Sequence, residues 1–177
     1  PRALSKLLAG KRIAVVSGTN GKTTTTHFLA AALRESLPAG TNRLVHNADG
    51  ANLHHGLASA LSQHPDADIA ILECDERVVG DVIRLGRPDV LVLLNFSRDQ
   101  LDRHHEIKGL GRSWRTALAD AGEDGPVVVA NTDEPLVVWA ALPAKQVIWV
   151  VGTSSANSVR FSPTTSSVSA ASKVSAL

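Results

Sequence analysis

The chain has 177 residues, enough for one domain with a sizeable core and too few to favour two. Its 18 basic and 17 acidic side chains are well mixed and leave a net charge of +1, so no basic block points to nucleic acid or to an anionic membrane surface. No apolar run approaches the ~20 residues of a membrane span, residues 1–8 are too polar for a secretory signal, and the lone Cys74 excludes an internal disulfide or a multi-cysteine zinc site, which makes a reducing, cytoplasmic setting the expectation.

Residues 1–10 read as a short leading helix. The unbroken aliphatic run Arg12–Ser17 predicts a buried strand. Thr24–Leu37 predicts a helix whose core face carries Phe28, Leu29, Ala32 and Leu33, stopped by Pro38-Ala39-Gly40. Between them lies Ser17-Gly18-Thr19-Asn20-Gly21-Lys22-Thr23-Thr24. A strand, a glycine-bearing loop and Lys-Thr opening a helix form the setting of a phosphate-binding loop. Backbone N–H groups and the helix N-terminus face the phosphates, Lys22 adds a point charge, and the Thr23 hydroxyl can reach a magnesium ion. Val16 stands where the general pattern has its first glycine, so the motif here is the tighter G-x-x-G-K-T starting at Gly18.

Further strands are predicted at Arg43–His46, Asp68–Glu73, Asp89–Leu94, Val127–Ala130 and Gln146–Val151. Helices are predicted at Leu53–Gln63, Arg77–Leu85, Lys108–Ala121 and Glu134–Ala141. This alternation places the domain, residues 1–151, in the α/β class with a mainly parallel sheet and flanking helices. Residues 152–177 are abruptly rich in Ser, Thr and Ala and bury too little apolar surface to offset their ordering entropy, so a disordered tail is expected there. The tail and the absence of methionine suggest an incomplete product.

Ligands of such sheets sit beyond the carboxyl ends of the strands, and the polar clusters obey that rule. Ser17–Thr23, Asn47–Asn52, Glu73–Glu76, Asn95–Asp102 and Asn131–Glu134 each follow a strand. Glu73 is placed to hold magnesium opposite the phosphate loop, because magnesium takes a few hard oxygens plus phosphate. Asp75 and Glu76 suit capping of the next helix, and Cys74 suits packing. Asp102 and Arg103 could meet metal-bound water, phosphate or an acyl group. His104-His105 and His54-His55 read as solvated rather than as metal ligands. Asn131 offers a donor and an acceptor that match the edge of adenine, although Asn131-Thr132-Asp133-Glu134-Pro135 also suits a simple turn.

Taken in this order, the motifs resemble the central, P-loop-containing ATP-binding domain of the Mur ligase family over about residues 3 to 151. Gly18–Thr24 resembles its phosphate loop, Glu73 its magnesium-binding glutamate, and Asn131 with Asp133 its nucleotide-binding segment. Gly50-Ala51-Asn52, Gly56-Leu57-Ala58-Ser59-Ala60, Glu73-x-Asp75-Glu76 and Arg98-Asp99-Gln100-Leu101-Asp102-Arg103 resemble the MurT branch, the synthetase subunits of lipid II isoglutaminyl synthase. Gln100 stands where peptide-adding members carry a histidine that helps to hold a second magnesium. No lysine near Trp114-Arg115 matches their carbamylated lysine.

The resemblance implies an ATP- and Mg2+-dependent carbon–nitrogen ligase of peptidoglycan biosynthesis, with Lys22 and Glu73 catalytic and Thr23 and Glu73 at the metal. ATP would phosphorylate the α-carboxylate of D-glutamate in lipid II, and ammonia from a GatD-type glutaminase partner would convert the acyl phosphate to D-isoglutamine. It also implies that a C-terminal ligase domain is absent from these residues. The alternatives are an amino-acid-adding Mur ligase or folylpolyglutamate synthase, and an ATP-binding module without turnover.

Overall fold

The computed structural model describes residues 2–38, 43–47, 50–96, 104–152 and 160–163. Among these, α1 spans Arg2–Leu8, β1 Arg12–Ser17, α2 Lys22–Ser36, β2 Leu44–His46, α3 His54–Gln63 and β3 Ile69–Cys74. They are followed by α4 at Val79–Gly86, β4 at Val90–Leu93, α5 at His104–Ala121, β5 at Val127–Asn131, α6 at Pro135–Ala141, β6 at Gln146–Val151 and β7 at Arg160–Pro163. The sheet runs β2-β3-β1-β4-β5-β6-β7, parallel throughout except for the antiparallel β6–β7 pair. The α/β class with a mainly parallel sheet is thus the observed fold.

β1 lies at the centre, hydrogen-bonded to β3 on one side and β4 on the other. The chain fills the β3 side first and then crosses to the β4 side. The strand order therefore reverses around β1, and a crevice opens at its carboxyl end. Register brings the ends together there, because Ser17 pairs with both Cys74 and Leu93.

Side-chain parity divides the core. In β3, Ala70, Leu72 and Cys74 join the large cluster with α1, α3, α4, α5 and α6, contributed by Leu8, Leu57, Leu61, Val82, Trp114 and Val137 among others. Ile69 and Ile71 point the other way and pack with Leu44 against Ala30, Leu29, Leu33 and Leu37 of the α2 segment. Alternation along a strand then places Glu73 on the α2 face, which is what brings a carboxylate beneath the phosphate loop.

Several sequence expectations are corrected. Phe28 is 73% exposed instead of lying in the core, and the residues of α2 that are buried are Thr26 and Ala30. The rotation of α2 is fixed at its first turn by Thr23, which faces Glu73. At 100° per residue, Phe28 lies about 140° round from Thr23, away from the sheet. α5 starts at His104, so the backbone of His104-His105 is helical and not loop. The stretch expected to be disordered contains β7, whose Arg160–Pro163 pair with Val151–Ile148 of β6. The expected helix stop at Ala39-Gly40, the motif Arg98–Arg103 and residues 153–159 and 164–177 of the tail lie outside the described residues. No helix among the described residues is long and apolar enough to cross a membrane.

Candidate functional site

β1 ends at Ser17, whose hydroxyl donates to the Cys74 carbonyl at 2.8 Å and ties the strand to β3 just before the loop begins. Gly18 then adopts φ 145 and Gly21 φ 83, values that an L side chain rarely takes. At Gly18 space is also short, since a Cβ there would stand 2.9 Å from both Asn95 N and Leu94 Cβ. The turn is pinned from β4: Asn95 O accepts the Thr19 N–H at 2.9 Å, Asn95 Oδ1 accepts the Asn20 N–H at 2.9 Å, and Asn95 Nδ2 donates to Asn20 O at 3.0 Å. Helix α2 opens immediately afterwards at Lys22, with its first N–H groups toward the loop.

Lys22 Nζ donates to Gly18 O at 2.5 Å and to Thr19 O at 3.2 Å, and lies 3.7 Å from Glu76 Oε2. Thr23 Oγ1 donates to Glu73 Oε2 at 2.8 Å, and Asn52 Nδ2 approaches Glu73 Oε1 at 3.4 Å. Glu73 is only 4% exposed, so hydrogen bonding of both carboxylate oxygens is needed to offset its desolvation. An open cleft of about 360 Å³ is lined by residues 19–24 together with Gly50, Asn52 and Glu73.

The expected residues Gly18, Thr19, Asn20, Gly21, Lys22, Thr23, Thr24 and Glu73 therefore gather in one place. Asn131 and Asp133 sit two strands away from β1, at the end of β5. There the Asn131 amide donates to Leu94 O at 3.0 Å, and its carbonyl accepts the Asp133 N–H at 3.0 Å. The turn role is thus filled, while an amide keeps one N–H and one lone pair for a further partner. Asp133 Oδ2 accepts the Gly152 N–H at 2.9 Å.

Neighbouring charges divide as follows. Asp75 Oδ1 accepts the Arg77 N–H at 3.0 Å and so caps the turn into α4. Its carboxyl is held below the usual range chiefly by the hydrogen bond from the Arg77 side chain, with Lys22 adding to the effect. Glu76 is no cap; it faces Lys22 instead. Burial pushes the Cys74 thiol well up, reinforced by Glu73 and Asp75, which fits a packing residue and not a nucleophile. His54, expected to be solvated, places Nε2 3.0 Å from Asp81 Oδ2 and links α3 to α4.

Sequence reasoning placed Asn47, Asn52 and Asn95 within polar loops at the ligand edge but gave none of them a role of its own. A common signal existed: Asn47, Asn95 and Asn131 stand at or just beyond the ends of β2, β4 and β5. Each amide, being shaped like a peptide group, bonds the backbone of another segment where the regular ladder stops.

Comparison with known proteins agrees with this fold. Residues 16–175 match the Mur ligase middle domain family. Subunit MurT of lipid II isoglutaminyl synthase (glutamine-hydrolyzing) from Staphylococcus aureus strain COL is 34% identical over 127 residues, 71% of this chain and 28% of that protein. UDP-N-acetylmuramate–L-alanine ligase from Mycobacteroides abscessus is 29% identical over 162 residues, 89% of this chain and 30% of that protein. The crystal structure of MurF from Acinetobacter baumannii superposes with a TM-score of 0.63 at 18% identity, over 85% of this chain and 34% of that one, a likeness of fold. The chain spans less than a third of the length of these curated relatives. With most of its length matched by that domain, the chain belongs to the Mur ligase family.

Proposed function

We propose that the chain is the nucleotide-binding domain of a MurT-type ligase, which activates a carboxylate with Mg2+-ATP for amidation in the cytoplasm. The observation that carries this reading is the 2.8 Å Thr23–Glu73 contact at the foot of the phosphate loop, with Lys22 beside it. The donor set fits the group. Thr23 and Glu73 offer the hard oxygens magnesium prefers. Gly18 and Gly21 take the positive φ values that let the loop turn tightly against the end of β4. Lys22 is the one cation among the described residues lining the cleft.

When bound, Mg2+ neutralises phosphate charge and orients the transferred group. The chain's own part is positional. The loop N–H groups and the α2 N-terminus hold the phosphates, and Lys22 offsets the charge that develops during transfer. Asn131 with Asp133 would meet the base. MurT relatives are named as subunits of a glutamine-hydrolyzing synthase. By that likeness the phosphoryl acceptor is the D-glutamate α-carboxylate of lipid II, the intermediate an acyl phosphate that ammonia would convert to the amide with release of phosphate, and the ammonia source a glutaminase subunit of the GatD type.

An amino-acid-adding ligase is the second reading, favoured by the L-alanine ligase likeness that extends over 89% of this chain. Substrate-dependent phosphate release by the full-length protein separates the two. Release with ammonia, or with glutamine plus the glutaminase, supports amidation, and release only with an amino acid supports the second. Equilibrium ATP binding tests the site itself: Lys22→Ala is expected to weaken ATP at least tenfold, and unchanged affinity would overturn the phosphate-loop assignment. The chain alone is expected to show little or no amidation. Glutamine-dependent amidation of lipid II by residues 1–177 with a glutaminase would refute that.

A further inference from the structure

Glu76 has no part in the reaction outlined above, yet its carboxylate is one of the groups nearest to Lys22. The two side chains are only 15% and 13% exposed, and Glu76 Oε2 lies 3.7 Å from Lys22 Nζ. Nor is Glu76 loosely held. Its carbonyl accepts the Trp114 indole N–H at 2.8 Å, and Trp114 is fully buried in α5 with its ring 4.4 Å from that of Phe96 in the segment after β4. The preceding residues are fixed as well, since the Asp75 N–H donates to Asn52 O at 3.0 Å and Asp75 holds Arg77. The backbone that carries Glu76 is therefore anchored by two separate elements, and its side chain faces the one cation among the described residues lining the cleft.

This arrangement sets the charge that an incoming phosphate meets. Lys22 is already satisfied by Gly18 O, Thr19 O and Glu76, and the next residue, Thr23, is bonded to a second carboxylate, that of Glu73. A polyphosphate without metal must displace the Glu76 contact and also face two carboxylates within a largely desolvated corner, where charges are poorly screened. A polyphosphate that carries a divalent cation brings a counter-charge for both carboxylates. We infer that Glu76 is a specificity-determining positioning residue: by holding Lys22, it makes the loop discriminate for the metal complex of a nucleoside triphosphate against the free nucleotide. Discrimination is assigned to the lysine's partner, in addition to the metal ligand.

The inference rests on the nucleotide-site reading, and its test separates the two. ATP affinity of the 177-residue chain is measured by calorimetry with excess Mg2+ and again with EDTA. Glu76→Gln, close in size to the native residue, is expected to tighten metal-free ATP at least tenfold while Mg2+-ATP changes less than threefold. Glu76→Asp restores a carboxylate and is expected to return the preference for the metal complex at least halfway on a logarithmic scale. Equal shifts in both conditions, or none, overturn the role of Glu76, as does a Glu76→Asp variant that behaves like Glu76→Gln. Failure of the underlying site is read separately, from wild-type chain that does not bind Mg2+-ATP or from Lys22→Ala that binds it unchanged. Near-ultraviolet circular dichroism, to which the buried Trp114 contributes, verifies that each variant is folded. A Glu76→Gln chain that has lost this signal and the preference together shows Glu76 to be a structural residue and also overturns the proposal.

Discussion

Asn47 and Glu73 exchange hydrogen bonds as two peptide groups do. The Glu73 N–H donates to Asn47 Oδ1 at 2.8 Å, and Asn47 Nδ2 donates to Glu73 O at 2.9 Å. The same Nδ2 reaches Ala51 O at 2.9 Å, so one side chain splices the loop after β2 onto the end of β3. β2 stops pairing with β3 at His46, and the next residue continues the ladder with its amide instead of its backbone. The carboxylate beneath the phosphate loop is aimed by this splice from behind, and by Thr23 and Asn52 from in front.

Replacing Asn47 with Ala would leave a buried N–H and two carbonyls without partners. At ~1–3 kcal/mol for each buried polar group left unmade, partly relieved by relaxation, the variant is expected to lose about 2–4 kcal/mol of stability. Mg2+-dependent nucleotide affinity should fall with it, because Glu73 loses its backbone anchor. Urea unfolding together with nucleotide titration checks this, and an unchanged midpoint would show that the amide is dispensable.

The two loop glycines should respond differently to a methyl group. Gly18→Ala combines φ 145 with contacts of 2.9 Å to Asn95 N and Leu94 Cβ, and the backbone partner cannot yield without moving β4. Gly21→Ala meets only Leu94 Cδ1 at 3.6 Å, so its cost is the left-handed backbone itself, about 1–2 kcal/mol. Gly18→Ala is therefore expected to destabilise the chain by about 2–4 kcal/mol and to abolish nucleotide binding. Gly21→Ala should fold with reduced affinity. Equal losses in thermal unfolding would place the constraint elsewhere.

Much of this arrangement was legible from residues alone. The aliphatic runs Arg12–Ser17 and Gln146–Val151 were bounded as observed, since a short unbroken aliphatic run flanked by turn residues leaves little ambiguity of extent. Gly18–Thr24 and Glu73 were legible because strand ends in such a sheet share one edge. The rotation of α2 was not. Its apolar residues could suggest a face, but Thr23 fixes the helix through a polar contact that no hydrophobic pattern records. The role of Glu76 was hidden for a similar reason: an acidic residue before a helix suits a cap, and only the packing of Trp114 turns it toward Lys22. β7 escaped because Arg160–Pro163 owes its strand to pairing with β6, within a composition that favours no structure by itself.

Cys74 predicts the alkaline behaviour. Burial raises its thiol above the ordinary value of 9.0, so the folded chain keeps a proton that the unfolded chain releases. The sign follows: this contribution is fully present below pH 9.0 and declines as pH rises past it, by up to about 1.36 kcal/mol per pH unit. Stability measured by urea unfolding should therefore fall from pH 9 to 10 in the native sequence and fall less in Cys74→Ala. At pH 8 a thiol reagent should label Cys74 only after denaturant is added. Rapid labelling of folded protein would contradict the burial.

Truncation after Gly152 tests the strand that the composition concealed. Without β7, the N–H and C=O groups that Ile148–Val151 direct toward Arg160–Pro163 lose their partners, and β6 becomes a bare edge. Its sequence, Gln-Val-Ile-Trp-Val-Val, is long, apolar and uncharged, the combination that promotes pairing between chains. The truncated chain is expected to exchange the β6 amides at least tenfold faster and to show more concentration-dependent association than residues 1–177, while β1, β3 and β4 keep their protection. Light scattering and hydrogen exchange read these effects separately. Unchanged exchange along β6 would mean that β7 contributes nothing to the sheet, and the composition-based expectation for the tail would then stand.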